Sequence, residues 1–215
     1  MATPRVFISM GTPYTPEYAR FRDELEAYLR DQCGVDPRII GKNEYPTGSP
    51  LSKIREVMAT CDGVIIVAYE RKHVSKGSEK RGSEAETTLT NRSYTTPWNH
   101  IESAMAFSLS LPLHILCQTG LSEEGLIETK VDWYVQRLEI APGAFNSSSV
   151  TQSLQSWIKE RVLPHANRPS FFRAVQGQSR LSEMTPVEIL GILGVLAAAF
   201  GAGVWAAHVF PQIFP

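Results

Sequence analysis

The chain has 215 residues, with 21 Lys+Arg against 22 Asp+Glu and 43% hydrophobic residues. Setting aside an apolar C-terminal tail, that suits one compact domain with a sizeable core and argues against disorder for most of the chain. A net charge of −1 offers no basic field for nucleic acid, and three cysteines (Cys33, Cys61, Cys117) without CxxC spacing argue against a disulfide framework or a zinc site.

Met1–Pro4 lead straight into Arg5–Ser9, an apolar run too short for the h-region of a signal peptide. Arg5–Met10 predicts a short buried strand. Pro16–Arg30 predicts a helix, with Phe21, Leu25 and Leu29 apolar among charges, Thr15 as cap and Pro16 at the first helical position. Asp36–Ile40 reads as a second strand, and Pro50–Thr60 as a helix with Leu51, Ile54, Val57 and Met58 on one face. Gly63–Tyr69 is apolar on both faces, which belongs in the middle of a parallel sheet. Glu70–Thr96 is polar and without period, and reads as a long loop, functional or disordered. Pro97–Leu111 resumes as a helix capped by Thr96, and Leu113–Cys117 is a fourth strand. Leu154–Leu163 reads as a last amphipathic helix. Alternating strands and helices imply an α/β doubly wound sheet, which binds ligands outside the carboxyl ends of its strands.

The tail is of another kind. Ile189–Ala207 holds no charged residue and spans roughly 28 Å as a helix, close to the hydrocarbon thickness of a bilayer. Four arginines (Arg161, Arg168, Arg173, Arg180) precede it with no acid between Arg161 and Ser182. The positive-inside rule then places residues 1–185 in the cytoplasm. The expected layout is an α/β domain over 1–163, a basic juxtamembrane linker over 164–186 and a single transmembrane helix over 187–210.

Three stretches fall at the ligand edge. Ser9-Met10-Gly11-Thr12-Pro13 is a small-residue turn whose backbone N–H groups suit a phosphate, though it is neither a P-loop nor GxGxxG. Gly41–Pro50 is an exposed loop shaped by Pro46, Gly48 and Pro50. In the third, Trp98 and Glu102 lie four apart on one helix face, beside an apolar face of Ile101, Met105 and Leu109. A carboxylate there can stabilise or attack an electron-poor sugar carbon. Burial would raise its pKa and the helix N-terminus would lower it, and the sequence leaves that balance open.

Residues 5–140 resemble a Toll/interleukin-1 receptor (TIR) domain of the bacterial, enzymatic kind, and also the nucleoside 2-deoxyribosyltransferases. The resemblance rests on RVFISM, on the Arg38–Ile54 stretch with Pro46 and Gly48 in its loop, on Met58–Val67, and on the W-x-x-x-E of Trp98 and Glu102. It implies a flavodoxin-like doubly wound parallel sheet, with Glu102 catalytic and Ser9, Met10, Gly11, Thr12, Arg38, Tyr69, Trp98 and Asn99 around the substrate. It further implies cleavage of the N-glycosidic bond of NAD to nicotinamide and ADP-ribose or its cyclic form, with NAD as substrate rather than cofactor and no metal. Self-association into a homo-oligomer, at the inner membrane of a bacterium in a defence or cell-death role, is part of the same expectation. The alternatives are a nucleoside or nucleotide glycosidase or transferase using the same glutamate, and a non-enzymatic nucleotide-sensing assembly module.

Overall fold

In a computed structural model of the chain, the described residues are 3–45, 48–128, 133–168, 186–187, 190–191 and 193–194. The chain divides into two units, Met1–Asn167 and Arg168–Pro215. In the first, strands β1 (Arg5–Met10), β2 (Asp36–Arg38) and β3 (Gly63–Ala68) alternate with helices α1 (Pro16–Asp31) and α2 (Pro50–Ala59). A pair of strands, β4 (Lys72–Glu79) and β5 (Thr87–Tyr94), follows, then α3 (Pro97–Ser108), β6 (Leu113–Gln118), β7 (Tyr134–Leu138) and α4 (Ser148–Trp157). The chain then runs through a π-helical turn (Ile158–Val162) into α5 (Leu163–Ala166).

The main sheet has the order β2-β1-β3-β6-β7, with every neighbouring pair parallel. This is an α/β architecture with the strand order of flavodoxin-like sheets. Its core follows from the two-residue period of a strand. Val6, Ile8, Ile65, Val67 and Leu116 point to one face, where Phe21, Leu25 and Leu29 of α1 and Val150, Leu154 and Trp157 of α4 cover them. Phe7, Val64, Ile66, Ile115 and Cys117 point to the other, beneath Ile54, Val57 and Met58 of α2 and Ala106 and Leu109 of α3. All six residues of β3 are buried, as a strand covered on both sides requires.

Helix starts follow the local chemistry. Thr15 accepts a hydrogen bond from the Tyr18 N–H at 3.3 Å, and Thr96 accepts one from the Trp98 N–H at 3.3 Å, each before a proline at the first helical position. At the head of β3, a Cβ on Gly63 would stand 2.9 Å from Val162 and 3.0 Å from Trp157. Glycine there lets the π-helical turn seat against the sheet.

Several expectations change. Glu70–Thr96 is not a loop but contains an antiparallel hairpin, with Lys72 opposite Tyr94 and Glu79 opposite Thr87. Nearly every hairpin side chain is exposed or half-buried, so no apolar alternation marks the strands. A fifth parallel strand, β7, was not foreseen, and the last helical stretch begins at Ser148 rather than Leu154. The second strand closes at Arg38 rather than Ile40, and α3 at Ser108 rather than Leu111.

Most of the charge-free run Ile189–Ala207 lies outside the described residues. Among the described residues, no helix is long and apolar enough to cross a membrane.

Candidate functional site

The order of the sheet reverses between β1 and β3, because the chain leaves β1 toward β2 on one side and returns to β3 on the other. A crevice opens above the carboxyl ends of strands at such a switch point. There the structure has a cavity of about 320 Å³. From β1 and its turn it is lined by Ser9, Met10, Gly11 and Thr12, and from α3 by Trp98, Asn99 and Glu102. Ile40, Pro50, Ile54, Arg71 and Thr96 complete the wall. The volume is at the lower end of ligand pockets and suits one nucleoside-sized group rather than a whole dinucleotide.

Seven residues expected at the site therefore meet in one place. Three others do not line it. Arg38 turns its guanidinium to Asp36 at 2.6 Å and to Glu44 at 3.1 Å, tying β2 to the following loop. Tyr69 stands behind the site, where its hydroxyl donates to the carbonyls of Gly11 at 2.7 Å and Thr12 at 3.1 Å and holds the turn in shape. Gly48 is not among the lining residues, and Pro46 lies outside the described residues.

The α3 helix presents an unexpected face. Asn99, Glu102, Ser103 and Ala106 are its buried residues, while Trp98 is 44% and Ile101 42% exposed. The apolar stripe anticipated at Ile101, Met105 and Leu109 is thus turned partly to solvent, and Leu109 alone of the three is buried. A polar face toward the sheet is stable only if its groups are paired. They are: the Thr95 hydroxyl donates to Asn99 Oδ1 at 2.7 Å, Asn99 Nδ2 donates to Ser9 Oγ at 3.1 Å, and the Ser103 hydroxyl donates to the Asn99 carbonyl at 2.6 Å.

Glu102 is 9% exposed. Burial pushes its carboxyl from 4.5 up to about 7, against the opposing pull of a hydrogen bond from Ser9. Loss of hydration thus outweighs that hydrogen bond, and the group is poised to change charge near neutrality.

Arg71 was missed by sequence reasoning. It sits just beyond β3, and its Nη1 donates to the Thr12 carbonyl at 3.3 Å while its guanidinium lies 5.6 Å from the centre of the Tyr14 ring. The base of the hairpin fixes it: the Arg71 N–H donates to the Tyr94 carbonyl at 2.8 Å, and the Glu70 N–H to Gln118 Oε1 at 2.7 Å. The Tyr14 hydroxyl donates to the Glu70 carbonyl at 2.7 Å. Burial holds the phenols of Tyr14 and Tyr69 up at about 12, so both stay neutral donors. The signal that could have found Arg71 is its position, three residues past the end of the central strand on the ligand edge.

Cys33, Cys61 and Cys117 are free thiols. Among the described residues, no group of three or more His, Cys, Asp or Glu side chains converges as a metal site would. No protein-family model matches the chain, and comparison with curated proteins returns no match.

Proposed function

We propose that the chain is a TIR-like enzyme that cleaves the bond between nicotinamide and ribose in NAD, anchored to a membrane by its C-terminal segment with the sheet domain in the cytoplasm. The observation that carries this reading is one buried carboxylate, Glu102, in a nucleoside-sized cavity at the switch point of the sheet. The nicotinamide ring nitrogen is positively charged while bonded to ribose and leaves as a neutral ring, taking the bonding electron pair and needing no proton. The anomeric carbon becomes cationic and requires a negative group beneath it. Glu102 supplies that charge. Water then adds to the carbon and loses a proton, giving ADP-ribose, or a nucleophile on the same molecule closes a ring.

Two details favour NAD over an uncharged nucleoside. A purine or pyrimidine leaving group needs a general acid, and among the described residues Glu102 is the one carboxyl lining the cavity, with no histidine beside it. Arg71 at the same wall offers a cation for a phosphate, which a free nucleoside lacks. The nucleoside-transferring reading remains the second choice, and a non-enzymatic nucleotide sensor the third. The reading includes self-association into a homo-oligomer, which tethering to a surface would favour by raising local concentration.

The test is release of nicotinamide from NAD by the full-length chain clustered on vesicles, with deoxynucleosides assayed in parallel. Turnover of NAD that disappears in Glu102→Gln supports the proposal. Turnover of deoxynucleosides alone supports the transferase, and turnover of neither favours the sensor.

A further inference from the structure

Four polar side chains from β1, α3 and the segment before α3 form a linked set at the cavity: Ser9, Asn99 and Glu102 line it, and Thr95 stands behind Asn99. All are buried, so each needs a protein partner, and hydrogen bonds link them to one another. An asparagine amide has an acceptor end and a donor end. The Thr95 hydroxyl occupies the acceptor end, so the nitrogen faces Ser9 and donates to its oxygen. Ser9 carries a single hydroxyl proton, and with its oxygen accepting from Asn99 that proton is left for Glu102.

We propose that Thr95 and Asn99 are positioning residues, which hold Ser9 as a hydrogen-bond donor to the ionised Glu102 and so fix the carboxylate in one orientation beneath the reacting carbon. The inference rests on the reading of Glu102 as the reactive carboxylate. The chain of bonds also runs in reverse. With the Asn99 amide turned over, neutral Glu102 donates to Ser9, Ser9 to Asn99 Oδ1, and Asn99 Nδ2 to Thr95. Each direction matches one charge state of Glu102, so the direction of the chain switches when Glu102 ionises.

Apart from Arg71, the side chains lining the cavity around Glu102 are uncharged among the described residues. Around Glu102, β1 and its turn, Ile40 beyond β2, and Pro50 and Ile54 of α2 contribute uncharged groups. Trp98 and Asn99 on its own helix are uncharged as well. Besides Glu102, Arg71 is the one charged side chain lining the cavity among the described residues. The Ser9 bond is the influence that opposes burial at this carboxyl.

The experiment follows the Glu102 carboxyl by carbon NMR across pH in the full-length chain, the signal being assigned by its loss in Glu102→Gln. Ser9→Ala should raise the midpoint by about one pH unit. Thr95→Val, which removes a hydroxyl that does not touch Glu102, should raise it by less, and Thr95→Ser should restore it. In the unsubstituted chain the Asn99 side-chain amide signals should titrate with the same midpoint, because the amide turns over with the charge. A midpoint unmoved by Ser9→Ala, a midpoint unmoved in folded Thr95→Val, or Asn99 amide signals flat through the titration would each overturn the proposal. No substrate enters this measurement. Its failure speaks against the hydrogen-bond chain alone, whereas absent NAD turnover in the unsubstituted chain speaks against the reaction alone.

Discussion

Glu102 is held in a place that suits chemistry better than stability. Folding raises its carboxyl from 4.5 to about 7, so between those values the folded protein keeps a proton that the unfolded chain has lost. Stability therefore falls as pH rises through that window, by up to about 3 kcal/mol. His114 acts in the opposite sense. It is buried between Tyr134 and Trp157 with Nε2 3.3 Å from Gln136 Oε1, and burial lowers it from 6.5 to about 4. Its contribution is complete above 6.5 and is lost as pH falls toward 4. The two offset each other between about 4.5 and 6.5. Glu102→Gln should thus raise stability at pH 8 by up to about 3 kcal/mol, change it little at pH 4.5, and leave a steep rise with pH that denaturant titrations would reveal. The proposed reaction requires the ionised form, so kcat/KM for NAD should climb through pH about 7. The positive nicotinamide ring favours the anion once bound, which moves the corresponding limb of kcat to lower pH. Arg71→Ala should cost about ten- to a hundredfold in kcat/KM for NAD, the worth of a charge-assisted hydrogen bond, and leave nicotinamide riboside unaffected. An equal loss on both substrates would remove Arg71 from phosphate recognition.

At the scale of elements, what the sequence disclosed depended on how strongly each segment is coupled to the core. β1, α1 and β3 stand out because their apolar residues repeat with the right period and their caps are local. The hairpin of β4 and β5 was hidden because water covers both of its faces, and its rungs are made by backbone groups that any residue carries. β7 was hidden because it is an edge strand whose buried members include Gln136, which pairs with His114. The site divides in the same way. Ser9, Trp98 and Glu102 could be placed by element ends and helical spacing, whereas Arg71 and the inward turn of Asn99 depend on contacts across the sheet. Two outcomes test this picture. Gly63→Ala should destabilise the fold by about 1–3 kcal/mol in thermal or denaturant melts, since the new Cβ meets Val162 and Trp157 at the head of the central strand. Replacing Ser75–Thr90 by a short Gly/Ser link should leave the melting temperature nearly unaltered, because those side chains lie outside both core clusters. A large drop would mean that the hairpin supports the sheet.

The whole molecule couples this α/β unit to a C-terminal segment whose composition is that of a membrane span: Ile189–Ala207 is free of charge and follows four arginines. The full chain should sediment with membranes, and a chain ending at Ser182 should not. Recovery of the full chain in the supernatant without detergent would contradict the anchor. Clustering at a surface also sets the conditions under which the chemistry should be sought. The most direct measurement of the central claim is nicotinamide release from NAD by the full-length chain on vesicles, compared with Glu102→Gln in the same preparation. Cleavage by the unsubstituted chain and a loss of about a hundredfold or more in the Gln variant is the predicted result. Equal cleavage by both chains would contradict the account.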